Sequence, residues 1–186
     1  MKVLPQIIVE RMGLELLEMN ITKSSKAFGQ IVFDDCEFEY FDIEKIVTKK
    51  IYQKGTIIVD PKNYFMRNLG SVNNTIIHEC VHWELHRKYF ELVNLYNEYK
   101  KYILCNITET TKPKQGWSPY EIMEWQANAL APRILMPAKQ TKEKIEELIE
   151  KNKKVLNTTR KTDILESVIY ELADFLVYQN LLQKLG

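Results

Sequence analysis

The sequence predicts an α+β fold, with a small, mostly antiparallel N-terminal sheet beside one long helix and further helices completing the core. Three observations carry this. Short β-rich runs crowd the stretch from Phe28 to Val59, a helical pattern holding every histidine begins near Asn73, and amphipathic periodicity dominates the C-terminal third. A chain of 186 residues suits one principal domain with a small appendage, drawn here as residues 1–140 and a helical extension, 141–186, packed on it.

Residues 6–20 place Ile7, Ile8, Met12, Leu16, Leu17 and Met19 near helical spacing, with Gly13 as a weak spot. Glu10 and Arg11 break the apolar run too early for a secretory signal, and no stretch of 18 apolar residues follows, so no membrane span is expected. The runs GQIVF, EFEYF, KKIYQ and GTIIVD read as strands, punctuated by Gly29, Asp34-Asp35 and Gly55. From Asn73 or Asn74, either of which can cap a helix, Ile77, Val81, Leu85, Leu92 and Tyr96 recur at helical spacing, in a run lasting to about Ile103. Residues 105–117 lack periodicity and read as an exposed loop. Ser118-Pro119-Tyr120-Glu121 is a helix start, with Ser118 as N-cap, Pro119 at N1 and Glu121 closing a capping box. That helix runs through at least Ala131, and Pro132 and Pro137 bend or end it. Residues 141–155 and 163–184 read as amphipathic helices.

A formal net charge of +1 supplies no strong field for nucleic acid or anionic membrane. The basic residues Lys142, Lys144, Lys151, Lys153, Lys154, Arg160 and Lys161 are interleaved with Glu143, Glu146, Glu147 and Glu150, the texture of a solvated helix. Direct nucleic-acid binding is therefore not expected. Three widely spaced cysteines, Cys36, Cys80 and Cys105, form no CxxC pair and suit a reducing, cytoplasmic compartment.

All three histidines fall within nine residues, and His78-Glu79-Cys80-Val81-His82 is an HExxH string. Residues four apart share a helix face about 6 Å apart along the axis, so both imidazoles can converge on one ion. Glu79 lies next to them, where a carboxylate can serve as base. Cys80 points away from that face and reads as a buried thiol. A catalytic zinc needs a third protein ligand and an open position. Three residues compete for the place. His86 lies about 12 Å along a straight helix from His78, too far to share a tetrahedral ion comfortably, and suits a wall or hydrogen-bonding role better. Glu121 is occupied by its capping box. Glu124 sits one turn further in and shares a face with Asn128, whose amide can accept a proton from a ligating imidazole. Taken alone, Glu124 reads as a solvated surface carboxylate. Of the tryptophans, Trp83 and Trp125 are expected in the core, and Trp117 in the loop.

HECVH followed by EWQANALAPRILMP resembles the ImmA/IrrE family of bacterial zinc metallopeptidases. In that family an HExxH helix is followed by an E-x-x-A-N-x-(F/L)-A string ending in L-M-P, matched here by Glu124, Ala127, Asn128, Leu130, Ala131, Leu135, Met136 and Pro137. The similarity covers about residues 50–137. It implies a zincin-like catalytic domain with a gluzincin-type site, in which His78, His82 and Glu124 ligate zinc, Glu79 is the base and Asn128 supports a ligand histidine. It also implies a protein substrate, such as the helix-turn-helix repressor of a phage-like or mobile element. The alternative is a metal-containing regulatory protein that binds a repressor or antitoxin with little turnover. His86, Tyr89, Tyr120 and Arg133 are the candidates to stabilise the transition state. Two departures from the family stand out. Forty-one residues separate His82 from Glu124, and ELADFLVYQNLLQKLG matches only the start of a segment that in the family continues through a helix-turn-helix-like stretch.

Overall fold

The computed structural model describes residues 3–21, 27–41, 47–62, 69–96, 102–106, 116–156 and 160–182. It is α+β: five helices and a small, mostly antiparallel sheet among the described residues. The chain divides into two compact units, Leu4–Leu135 and the stretch from Met136 onward.

The first unit opens with α1 (Pro5–Arg11), much shorter than the helix expected over 6–20. Gly13 is the reason. It adopts φ +67°, a left-handed conformation that glycine enters without steric cost. Its N–H donates to the Glu10 carbonyl and the Leu14 N–H to that of Val9, which closes the helix in a Schellman motif. Leu14 and Val9 meet in the core, the apolar contact that accompanies such a cap. Leu16 and Leu17, expected on a helix, instead belong to β1 (Glu15–Glu18).

The strands β2 (Ala27–Val32), β3 (Cys36–Phe41), β4 (Val47–Tyr52) and β5 (Thr56–Val59) coincide with the four β-rich runs. The main sheet has the order β1-β5-β2-β6, with β1 parallel to β5 and the other pairs antiparallel. β3 and β4 form a separate hairpin. The edge strand β6 (Tyr102–Asn106) corrects two expectations. The long helix α2 (Leu69–Tyr96) ends before Ile103, and the first residues of the expected 105–117 loop pair with β2. The rest of that loop, 107–115, lies outside the described residues. α2 also starts four residues before Asn73, so Asn73 and Asn74 are interior positions rather than caps.

Every residue of β2 and β5 is buried, because the sheet is covered on both faces. One face turns Ile31, Ile57 and Val59 toward Ile76, Cys80, Trp83 and Phe90 of α2. The other packs Val32 and Ile58 against Ile21, Cys36 and Tyr52. α2 lies on β2 and β5, and α1 and α3 (Pro119–Leu135) pack against α2. At the start of α3 the capping box is present: the Glu121 N–H donates to Ser118 Oγ (3.3 Å), and the Ser118 N–H donates to Glu121 Oε2 (2.8 Å). Pro132 sits inside α3, and the helix continues past it to Leu135.

The second unit is a helical pair, α4 (Ala138–Leu156) and α5 (Lys161–Leu182). Leu148, Ile164 and Val168 form its core, flanked by Ile145, Ile149 and Leu172. Asn152 is buried between the helices. Its amide donates to the Leu148 carbonyl and to Glu171 Oε1, and its Oδ1 accepts from Ser167 Oγ. Lys142, Lys144 and Lys153 pair with Glu146, Glu147 and Glu150 along the solvated face of α4, as the interleaved charges led one to expect. Among the described residues no helix is long and apolar enough to cross a membrane.

Candidate metal centre

α2 and α3 build the centre together. Ile77 and Val81 of α2 pack on Ala127 and Ala131 of α3, both alanines with no exposed surface. Side chains this small let the helices approach closely, and Glu124, one turn before Ala127, is carried into the interface. It is buried at 3% exposure, so the solvated reading of this carboxylate does not hold.

His78, His82 and Glu124 form a buried group able to hold a metal ion. The two histidine Nε2 atoms are 2.9 Å apart, His82 Nε2 is 3.2 Å from Glu124 Oε1, and His78 Nε2 is 3.4 Å from Glu124 Oε2. Donors held at roughly 2.0–2.1 Å in a tetrahedral set stand about 3.3 Å from one another, so these separations fit a single ion. Neither Glu124 oxygen makes an aligned hydrogen bond despite these short distances, as expected of atoms converging on a point between them.

The electrostatics suit ligation. Burial pushes the Glu124 carboxyl up, but the imidazoles of His78 and His82 outweigh it and hold the group at about 2, hence ionised. Burial lowers His82 to about 4, against the pull of Glu124, and also lowers His86. The His82 imidazole is therefore neutral near pH 7, the form that offers a lone pair.

Glu79 has no exposed surface, and neither of its oxygens has a hydrogen-bond partner. Burial, and then the charge of Glu124, raises its pKa well above the ordinary carboxylate range. It lies against β2 at Gly29, where an added Cβ would stand 2.7 Å from Oε1 and nearer still to the Thr75 methyl. A buried carboxyl group without a hydrogen-bond partner is costly to maintain, and such groups cluster at functional sites. Cys80 is a buried free thiol pushed up to about 12, first by burial and then by Glu79. It is not one of the three grouped ligands.

His86 is also buried but is not among the three grouped residues. Its Nδ1 is 3.0 Å from His82 Nδ1, and its Nε2 is 2.9 Å from Gln126 Oε1. Gln126 escaped sequence analysis, because residues two apart on a helix do not face the same way and its spacing from Glu124 carries no signal. Asn128 is half-buried on α3, and His78 Nδ1 has no hydrogen-bond partner. Tyr89 is partly exposed and stacks edge-on against Phe90, whereas Tyr120 packs on the main core. The Arg133 guanidinium donates to the Ala129 carbonyl of its own helix. Trp83 is in the core beside Phe33, and Trp117 and Trp125 are half-buried. Compared with known proteins, the chain matches no family model, no curated protein and no solved structure.

Proposed function

We propose that this chain is a zinc-dependent metallopeptidase of zincin-like fold, akin to the ImmA/IrrE enzymes, acting on a regulatory protein in the bacterial cytoplasm. One observation carries the reading: two buried imidazole nitrogens and the two oxygens of one buried carboxylate, from two helices, converge at 2.9–3.4 Å, beside a second buried carboxyl group that has no hydrogen-bond partner. Two imidazole nitrogens and a carboxylate oxygen are a donor set typical of catalytic zinc. Cys36 and Cys80 are buried and form no disulfide, which suits a reducing compartment. The ion-paired lysines of α4 weigh against nucleic-acid binding, and only the likeness of the two strings to the ImmA/IrrE enzymes points to a protein substrate such as a helix-turn-helix repressor.

In this mechanism His78 and His82 bind through Nε2 and Glu124 through its carboxylate. When bound, the ion lowers the pKa of a water toward neutrality and polarises the scissile carbonyl. Glu79 takes the water's proton on a carboxylate oxygen and delivers it to the leaving amine nitrogen. Burial keeps Glu79 basic, and Gly29 leaves the space it occupies. Tyr89, Tyr120 and Arg133 are the candidates to donate to the carbonyl oxygen as charge develops there. Asn128 is assigned a supporting role toward the ligands, and His86 is better suited to support than to that donation, being engaged on both ring nitrogens.

The test is elemental analysis of the purified chain together with hydrolysis of repressor proteins. Stoichiometric zinc, lost with Glu124→Ala, and cleavage, lost with Glu79→Gln at unchanged metal content, are the expected results. Zinc retained after Glu124→Ala removes the proposed centre. Cellular function retained by Glu79→Gln would make the protein a binding regulator instead.

A further inference from the structure

We propose that Gln126 and His86 act as a positioning relay that fixes the proton of His82 on Nδ1 and so turns its Nε2 lone pair toward the metal. The proposal rests on the metal-centre reading above. Two imidazole nitrogens at 3.0 Å, His82 Nδ1 and His86 Nδ1, share one proton: with none they repel, and with two the N–H groups collide. Which ring carries it is decided at the far end of the chain of contacts. Gln126 presents Oε1 to His86 Nε2 at 2.9 Å. An oxygen only accepts, so His86 holds its proton on Nε2 and leaves Nδ1 bare. The proton between the rings then belongs to His82 Nδ1, and a neutral His82 has an unprotonated Nε2. That atom is the one lying 2.9 Å from His78 Nε2 and 3.2 Å from Glu124 Oε1.

Reversal shows what the relay prevents. A donor at position 126 would leave the proton on His86 Nδ1, make His82 Nδ1 the acceptor and put a hydrogen on His82 Nε2, inside the ligand triangle. An acceptor is therefore needed at 126. Glutamine provides one without adding a third carboxylate to a centre that already buries Glu79 and Glu124. α2 supplies both histidines and α3 supplies the glutamine and Glu124, so the helix contact that completes the ligand set also orients one of its members. Supporting partners of ligand histidines of this kind typically contribute about 10–100-fold in metal affinity.

The experiment measures the zinc dissociation constant of the full chain by chelator competition, with imidazole 15N NMR of the zinc-loaded protein. Gln126→Glu keeps an acceptor and is expected to bind zinc at least as tightly as the parent. Gln126→Met removes it and should bind about 10-fold more weakly, and Gln126→Lys, a donor alone, about 100-fold more weakly. A packing role would not produce this order, because methionine resembles glutamine in shape better than lysine does, and glutamate brings a charge. In the loaded parent, His86 should be protonated on Nε2 and bare on Nδ1. A Gln126→Lys protein that stays folded and binds zinc like the parent overturns the relay, as does a His86 proton found on Nδ1. Should the substituted proteins unfold, the parent spectrum decides alone. A parent that takes up no zinc sinks the metal centre and the relay together, and that outcome is distinct from a zinc-binding parent indifferent to residue 126.

Discussion

Gly29 on β2 and Glu79 on α2 are in such close contact that a single Cβ at the glycine would stand 2.7 Å from the carboxylate oxygen. The sheet thus forms one wall of the space that holds the proposed base, and the wall has no room for a side chain. Gly29→Ala is expected to cost about 1–3 kcal/mol, the usual penalty of overpacking a filled interior. Urea unfolding measures it. Because the methyl also presses on Glu79, hydrolysis should fall further than the folded fraction does. A variant with parental stability would show that β2 and α2 do not meet this tightly.

Glu79→Gln separates chemistry from binding. Loss of a positioned base typically lowers turnover about 10²–10⁴-fold, while zinc content should be unchanged. The same change should stabilise the metal-free protein. A carboxylate whose folded pKa is raised holds its proton more firmly when folded, so its contribution to stability is lost as pH rises above the ordinary value of 4.5. Glutamine carries no such charge. A gain of about 1 kcal/mol or more at pH 7 is expected, because there the folded protein must either keep the Glu79 proton against the solution or bury an unpaired charge, and glutamine does neither. A metal-free Glu79→Gln protein less stable than its parent would contradict the buried, unpaired state of this side chain.

The metal-free protein should lose stability on mild acidification. His82 is lowered from 6.5 to about 4 by burial, so the unfolded chain takes up the proton first. Its contribution is complete above about 6.5 and is lost as pH falls toward 4. Glu124, depressed from 4.5 to about 2 by the imidazoles against its burial, adds a second loss in the same direction between those values. Melting temperatures should therefore drop between pH 7 and pH 4, and zinc should flatten the upper part of that curve by holding the imidazoles deprotonated. A His82→Gln protein with an unaltered pH profile would assign the acid sensitivity elsewhere.

Asn152 should matter to the helical pair beyond its size. It joins Leu148, Ser167 and Glu171 across the two helices. Asn152→Ala should cost about 1–2 kcal/mol, since the Leu148 carbonyl and the half-buried Ser167 and Glu171 lose their hydrogen bonds to it. Ser167→Ala, removing one link of the network, should cost less. Equal and negligible effects in thermal unfolding would show the network to be incidental.

Short-range physics was legible in the amino-acid sequence. The i, i+4 spacing set His78 and His82 on one helix face beside Glu79, runs of β-branched and aromatic residues marked β2 to β5, Ser118 and Glu121 announced the start of α3, and charge interleaving marked the solvated face of α4. Each depends on hydrogen bonds and side-chain directions within a few residues. The periodic pattern failed where chain reversal intervened: Gly13 closed α1 in a left-handed turn, and Tyr102–Asn106 left the helical run to pair with β2.

Tertiary packing decided the rest. Glu124 follows His82 by 42 positions, and no local rule says which carboxylate of α3 will face the histidines. That choice belongs to Ala127 and Ala131 closing on Ile77 and Val81, which buries one acidic side chain and leaves its neighbour Glu121 at the surface. The contacts of Gly29 with Glu79, and of Gln126 with His86, come from the same docking of separate elements. Sequence spacing determines what one helix can offer. Only the burial of one element against another determines what it meets, because that free energy comes from surfaces distant in the chain.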